Sequence, residues 1–190
     1  EATTKIFGIS LKQAIANSGL PYSSPDMLIP RVIHQCIQYL EDQQAFMEEG
    51  IFRLSGSSSN IKMLREKYDN SPGSFVLSMQ EPDIHVVSGL LKLFFRELPE
   101  NIVLPNNAYL AQQPESPVEQ TALAKQIISD LPIENKRTLA ALFSHLKKVV
   151  DNCLTNKMST KNVAIVFSAT LSIPSWLFLV LINESSELFL

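Results

Sequence analysis

Apolar residues recur at intervals of three and four along most of this chain, and prolines and short polar clusters cut the pattern into separate runs. Ile29, Val32, Ile33, Cys36, Ile37 and Leu40 make one stripe, with Pro30 suited to a first helical turn. Ile61, Leu64 and Tyr68 make the next, behind a Ser57-Ser58-Ser59 cluster that can cap a helix start, and it should stop near Asn70-Ser71-Pro72-Gly73. Ile84, Val87, Leu90, Leu91, Phe94 and Leu98 form a third, which Pro99 helps to end. A fourth helix is expected between Pro117 and Asp130. Leu139, Leu142, Phe143, Leu146, Val149 and Val150 mark a long fifth after Pro132. A sixth starts near Ser159, and the last covers roughly Trp176 to Phe189. This spacing buries one face of an α-helix. Strand signals are poor, since Phe75-Val76-Leu77 is short and no Asn-Gly joins two alternating runs. The expected fold is all-α, a bundle of about seven or more helices without an internal repeat.

At 190 residues the chain is long enough to bury a sizeable core, and its 45% apolar content fits one globular domain. The Ser116-Pro117 and Asn70–Gly73 segments read as interhelix loops, not linkers. A net charge of -3 argues against nucleic acid as a partner. Cys36 and Cys153 are too few and too far apart for a disulfide framework or a zinc site, and both read as buried thiols in helical patterns. His34, His85 and His145 are scattered, each most simply a half-buried or surface helix residue, so no metal site is expected. The strongest apolar run, Trp176 to Ile182, is far shorter than the roughly 20 residues of a membrane span and reads as a core helix. No charged region followed by an apolar stretch opens the chain, so no signal peptide is expected. Asn183-Glu184-Ser185 matches a glycosylation tripeptide by chance.

A nucleotide enzyme in its own right would need a phosphate cradle, and neither a Walker A loop nor a GxGxxG turn is present. The serines near Gly56 do not form GxSxG, and no histidine is placed to complete a triad. What stands out instead is Glu49-Gly50-Ile51-Phe52-Arg53-Leu54-Ser55-Gly56, a short apolar loop with a single cation between two glycines. Arginine keeps its charge at any physiological pH, and its planar fork of donors matches phosphate oxygens. Lys92 and Arg96 lie four apart on one helix, so both are expected to emerge from one face while Leu91, Phe94 and Leu98 turn inward. Such a pair is functional only with an acidic or phosphate-bearing partner and is otherwise a solvated face.

Three blocks, the EGIFR loop at residues 49–53, Lys92 to Pro99 and Asn162 to Phe167, together resemble the RhoGAP domain, the GTPase-activating domain for Rho-family small G proteins. The resemblance runs from Phe7 to Phe189, so the expected domain is the whole chain, residues 1–190. It implies a GTPase-activating protein with no substrate site of its own and no cofactor of its own. GTP and Mg would be held by the partner, a Rho-family small GTPase in its GTP-bound state. Arg53 falls on the family's catalytic arginine finger. Lys92 and Arg96 fall on the basic residues that steady that loop and meet the G protein, and Asn162 on an asparagine of the same interface. Gly50 and Gly56 are expected to let the loop turn sharply. A cytoplasmic domain is implied, without membrane insertion of its own and recruited to membranes through other parts of a longer parent.

Two departures stand against the family pattern. Ser168-Ala169-Thr170-Leu171 replaces the usual Gly-Pro before Thr-Leu or Asn-Leu, and the connection Ser172-Ile173-Pro174-Ser175 is short, from a shortened loop or an omitted segment. Pro174 stands as the candidate for the family's interface proline. The rival reading is a non-catalytic module of the same fold that docks on a small G protein or another signalling partner. Arg53, Lys92, Arg96 and Asn162 together favour the activator, because a docking module has no need of a finger.

Overall fold

The structure is a computed structural model that describes residues 4–105, 109 and 112–189. The expected extent, residues 1–190, reaches beyond them at both ends. Ten α-helices are present among the described residues, so the all-α expectation holds. In chain order they are α1 (Leu11–Ser18), α2 (Arg31–Asp42), α3 (Ser58–Asn70), α4 (Ile84–Glu97), α5 (Pro117–Asp130), α6 (Ile133–Asp151), α7 (Cys153–Asn156), α8 (Thr160–Leu171), α9 (Ser175–Asn183) and α10 (Ser185–Leu188). Among the described residues no single helix is long and apolar enough to cross a membrane.

Where the boundaries were foreseen, local chemistry explains them. Ser57 Oγ accepts from Asn60 N at the start of α3. At α5 the Ser116 hydroxyl and the Glu119 carboxylate satisfy each other's backbone amides, with Pro117 just inside the helix. α4 opens on Asp83, whose Oδ1 accepts from His85 N and Val86 N.

Two expectations are corrected. A small antiparallel hairpin, β1 (Gly19–Tyr22) and β2 (Ser24–Pro30), pairs Leu20 with Ile29 and Pro21 with Leu28. Its turn is made by Ser23 at φ 64, a left-handed residue without the usual glycine. The final helix is broken: Glu184, at φ -111 and ψ 18, separates α9 from α10. The expected core character of α9 holds for Leu177, Phe178, Leu181 and Ile182, while Leu179 is 36% exposed.

One core runs through the domain. Phe7 meets Phe94 edge-on at 5.7 Å and carries the Arg65 guanidinium 5.3 Å from its ring centre. Arg65 also clamps α3 to α4, its Nε donating to both Glu97 oxygens at 2.9 and 3.0 Å while Nη1 meets Asp69 at 3.1 Å. α2 and α6 are joined by Glu41, which accepts from His145 Nδ1 at 3.3 Å and Lys148 Nζ at 2.7 Å. His145 is fully buried, contrary to expectation, because α6 turns it toward Glu41 and Phe52. Cys36 is buried as expected, and Cys153 only partly so.

Candidate functional site

The loop between the turn at Ala45–Met47 and α3 alternates inward anchors with an outward cation. Ile51 and Phe52 are 0% exposed, and Arg53 beside them is exposed. Arg53 N and Leu54 N both donate to Gly50 O at 2.9 Å, closing a tight turn. The turn needs two residues in the left-handed region, Gly50 at φ 73 and Phe52 at φ 67. Glycine takes that conformation freely, whereas a phenylalanine there costs about 1–2 kcal/mol.

Packing holds Phe52 in place. Its ring lies edge-on to Phe167 of α8 at 5.1 Å and to His145 of α6 at 5.7 Å. Its carbonyl accepts from Lys92 Nζ of α4 at 2.5 Å. Lys92 is therefore not the exposed cation its spacing implied: only 9% of it is accessible, and its charge is spent inside the domain on the loop. Burial, and next the Arg96 guanidinium, pull its pKa below the ordinary lysine value. Arg96, one turn further on, is exposed. It lines a groove of about 470 Å³ between α3 and α4 together with Leu54, Gly56, Ile61, Lys92 and Leu93.

The two glycines do different work. Gly50 supplies the positive φ, and a Cβ there would sit 2.8 Å from Leu54 Cγ and 3.2 Å from Arg53 Nη2, so the guanidinium folds back over its own turn. Gly56 is not left-handed; a Cβ would lie 2.5 Å from Val86 N and 2.6 Å from His85 C, so it is small to let the loop press against the start of α4.

Asn162 lies in the first turn of α8, half-buried, where Ser159 Oγ caps its amide at 3.3 Å. Its Nδ2 donates to Lys157 O at 3.1 Å. Pro174 precedes α9 and accepts from Leu177 N and Phe178 N. The missing Gly-Pro does not disturb the end of α8: Ser172, at φ 51, takes the left-handed cap, and Ile173 N returns to Ser168 O at 3.0 Å.

A family model, that of the RhoGAP domain, matches residues 30–175. The chain belongs to this family. Probable Rho-type GTPase-activating protein 2 of Schizosaccharomyces pombe is 41% identical over 188 residues, covering 97% of this chain and 14% of that protein. GTPase-activating protein BEM3 of Saccharomyces cerevisiae is 34% identical over 194 residues, covering 90% of this chain and 17% of that protein. The chain thus spans a small part of each relative's length. The crystal structure of human Rho GTPase activating protein 15 superposes with a TM-score of 0.81 at 28% identity, covering 99% of this chain and 93% of that one.

Within this RhoGAP domain the fold brings Arg53, Lys92 and Arg96 around one loop and one helix. Asn162 joins them indirectly, through Lys157 and its neighbour Asn156, whose carbonyl accepts from Gly50 N at 2.8 Å. Sequence reasoning missed the supports of the loop: Phe52, His145 and Asn156. Phe52 carried a signal, as a large aromatic beside a glycine turn. Asn156 carried none.

Proposed function

We propose that this domain accelerates GTP hydrolysis by Rho-family small GTPases, with Arg53 entering the partner's active site as an arginine finger in trans. The observation that carries this reading is the build of the loop. A cation is held outward at a turn whose neighbours Ile51 and Phe52 are fully buried and whose backbone is tied to α4. A merely solvated arginine needs no such support. Hydrolysis spreads negative charge over the transferring phosphoryl group, and a guanidinium brought there lowers the barrier; in other G-protein systems such a finger is worth about 10³ to 10⁵ in rate. On docking, the Arg53 side chain leaves Gly50 and reaches for the phosphates.

The partner is engaged in its GTP-bound state and holds GTP and Mg itself, so the domain is an activator of an enzyme and completes that enzyme's active site. Lys92 steadies the loop from inside, and Arg96 and Asn162 meet the partner. The reading takes residues 1–190 as one domain, acting in the cytoplasm and brought to membranes by other parts of a longer parent.

Phosphate release from a panel of GTP-loaded Rho-family proteins, with and without the domain, tests this directly. Arg53→Ala should lose stimulation by about 10² or more while still binding the GTP-loaded partner, because the contact is made mainly in the transition state. Arg53→Lys should rescue little, since an ammonium lacks the planar fork. Equal stimulation by Arg53→Ala and the parent refutes the finger; no stimulation of any member by the parent leaves the non-catalytic docking module as the better reading.

A further inference from the structure

The loop that carries Arg53 is held at three points. Two of them, the Lys92 bond and the aromatic cage of Phe52, act on its tip. The third acts at its base and centres on Asn156, the last residue of α7, which is 0% exposed. Asn156 Nδ2 donates to Phe46 O and to Val149 O, both at 2.7 Å. Its Oδ1 accepts from Met158 N at 2.7 Å, and its main-chain carbonyl accepts from Gly50 N at 2.8 Å. Both amide hydrogens and the amide oxygen are thus used, on three separate segments: the approach to the Arg53 loop, the end of α6 and the entry to α8.

The next residue extends this junction. Lys157 is left-handed at φ 62, and its carbonyl receives Nδ2 of Asn162. The path from Phe46 and Gly50 to Asn156, across the peptide link to Lys157 and on to Asn162, is made of hydrogen bonds and one covalent step. It joins the strand of chain that presents Arg53 to the helix that presents Asn162, which are 109 positions apart in sequence (162 minus 53).

We propose that Asn156 is a positioning residue for Arg53, fixing the base of the finger loop and setting it in register with α8 so that Arg53 and Asn162 face a partner as one surface. The inference rests on the activating role of Arg53 for its consequence in rate, and on hydrogen bonding alone for its structural content. A buried amide with all three polar positions satisfied is replaceable by no other residue of its size. Aspartate keeps the volume and the acceptor toward Met158 but turns its second oxygen on two carbonyls, and alanine removes every side-chain bond and leaves those groups unpaired.

Hydrogen exchange provides a test that does not need activity. In Asn156→Asp and Asn156→Ala, amides of residues 46–56 should exchange about tenfold faster or more, while those of α5, which packs chiefly on α9, keep their parent rates. Unchanged exchange of residues 46–56 overturns the proposal, as does a rise spread equally over α5. The unaltered domain supplies a check should either variant fail to fold. The amides of Gly50 and Met158, bonded to opposite ends of Asn156, should be released by one opening event and show matching protection; protection differing by more than about tenfold overturns the proposal.

Stimulated hydrolysis then separates positioning from general support. Asn156→Asp should lower the maximal rate at saturating domain by about tenfold or more with little change in affinity for the GTP-loaded partner. In the Arg53→Ala background the same substitution should cost almost nothing further, because its effect passes through Arg53. Equal losses in the two backgrounds refute the positioning role. A parent domain that stimulates no G protein refutes the activator reading, while the exchange experiment still decides whether Asn156 holds the loop.

Discussion

Replacing Lys92 by methionine removes a buried charge and its bond to the Phe52 carbonyl while leaving an unbranched side chain of similar length. A hydrogen bond from a charged donor contributes about 1.5–3 kcal/mol. Opposing it, the left-handed backbone of Phe52 costs about 1–2 kcal/mol, so the bond and the strain nearly offset each other. What remains after the substitution is the burial of Ile51 and Phe52, each worth about 1.5–3 kcal/mol. The buried anchors should therefore keep the loop docked, while its tip leaves the position that presents Arg53 in most molecules. Taking the lower end of the bond's range gives roughly a tenfold loss in stimulated GTP hydrolysis, at about 1.4 kcal/mol per factor of ten. Thermal stability should change little, because losing the bond is partly offset by no longer burying an ammonium group. Single-turnover hydrolysis at saturating domain, run from low to high salt, is the decisive assay. The loss for Lys92→Met should be the same at every salt concentration, since an interaction sealed inside the domain is poorly screened. Arg96→Ala, which removes an exposed cation, should weaken binding most at low salt. Full activity in Lys92→Met, or a defect that fades as salt rises, would refute the assignment of Lys92 to the loop.

Three further outcomes follow from the same geometry. Gly50→Ala forces a Cβ onto a residue at φ 73 and against Leu54, and should destabilise the domain by about 1 kcal/mol or more in denaturant titrations while reducing stimulated hydrolysis. Gly56→Ala should be the worse of the two, by about 1–3 kcal/mol relative to the parent, because its Cβ meets the backbone of α4 at 2.5 Å and backbone cannot step aside as a leucine side chain can. The Glu41 carboxyl, held down to about 2 chiefly by its hydrogen bond with His145, stabilises the folded state above the ordinary carboxylate pKa, and that contribution is lost as pH falls from about 4.5 toward 2. Unfolding followed by circular dichroism across that range should show a steeper loss for the parent than for Glu41→Gln; parallel curves would remove Glu41 from the account.

The parts of this molecule that could be read from the chain are those set by neighbours in sequence. The start of α5 is written in four consecutive residues, Ser116 to Glu119, because the capping box closes over that distance. The end of α4 is similarly local, with Glu97 last in the helix and Pro99 just beyond it. The hairpin was hidden because Pro21, Pro25 and Pro30 argue against strands, yet a two-stranded ribbon is all edge and tolerates them. The break at Glu184 carries no glycine or proline to announce it.

Lys92 shows why the site was harder to read than the fold. Spacing of four places Lys92 and Arg96 on one side of a helix, but two positions four apart still differ by about 40° around the axis. Whether a lysine at the edge of that face is wet or dry depends on what covers it. Here the cover is Phe52, 40 positions earlier, and the lysine's long stem lets its charge reach that carbonyl while most of the side chain is sealed. The same holds for Asn156, whose partner Phe46 is 110 positions away, and for His145, whose partner Glu41 is 104 positions away. A family motif can mark Arg53 because, under the proposed function, the arginine itself meets the ligand. Apart from its neighbour Phe52, the residues that hold it, Lys92, His145 and Asn156, share no period or short spacing with it, and they become visible only when the loop, α4, α6 and α7 are brought together.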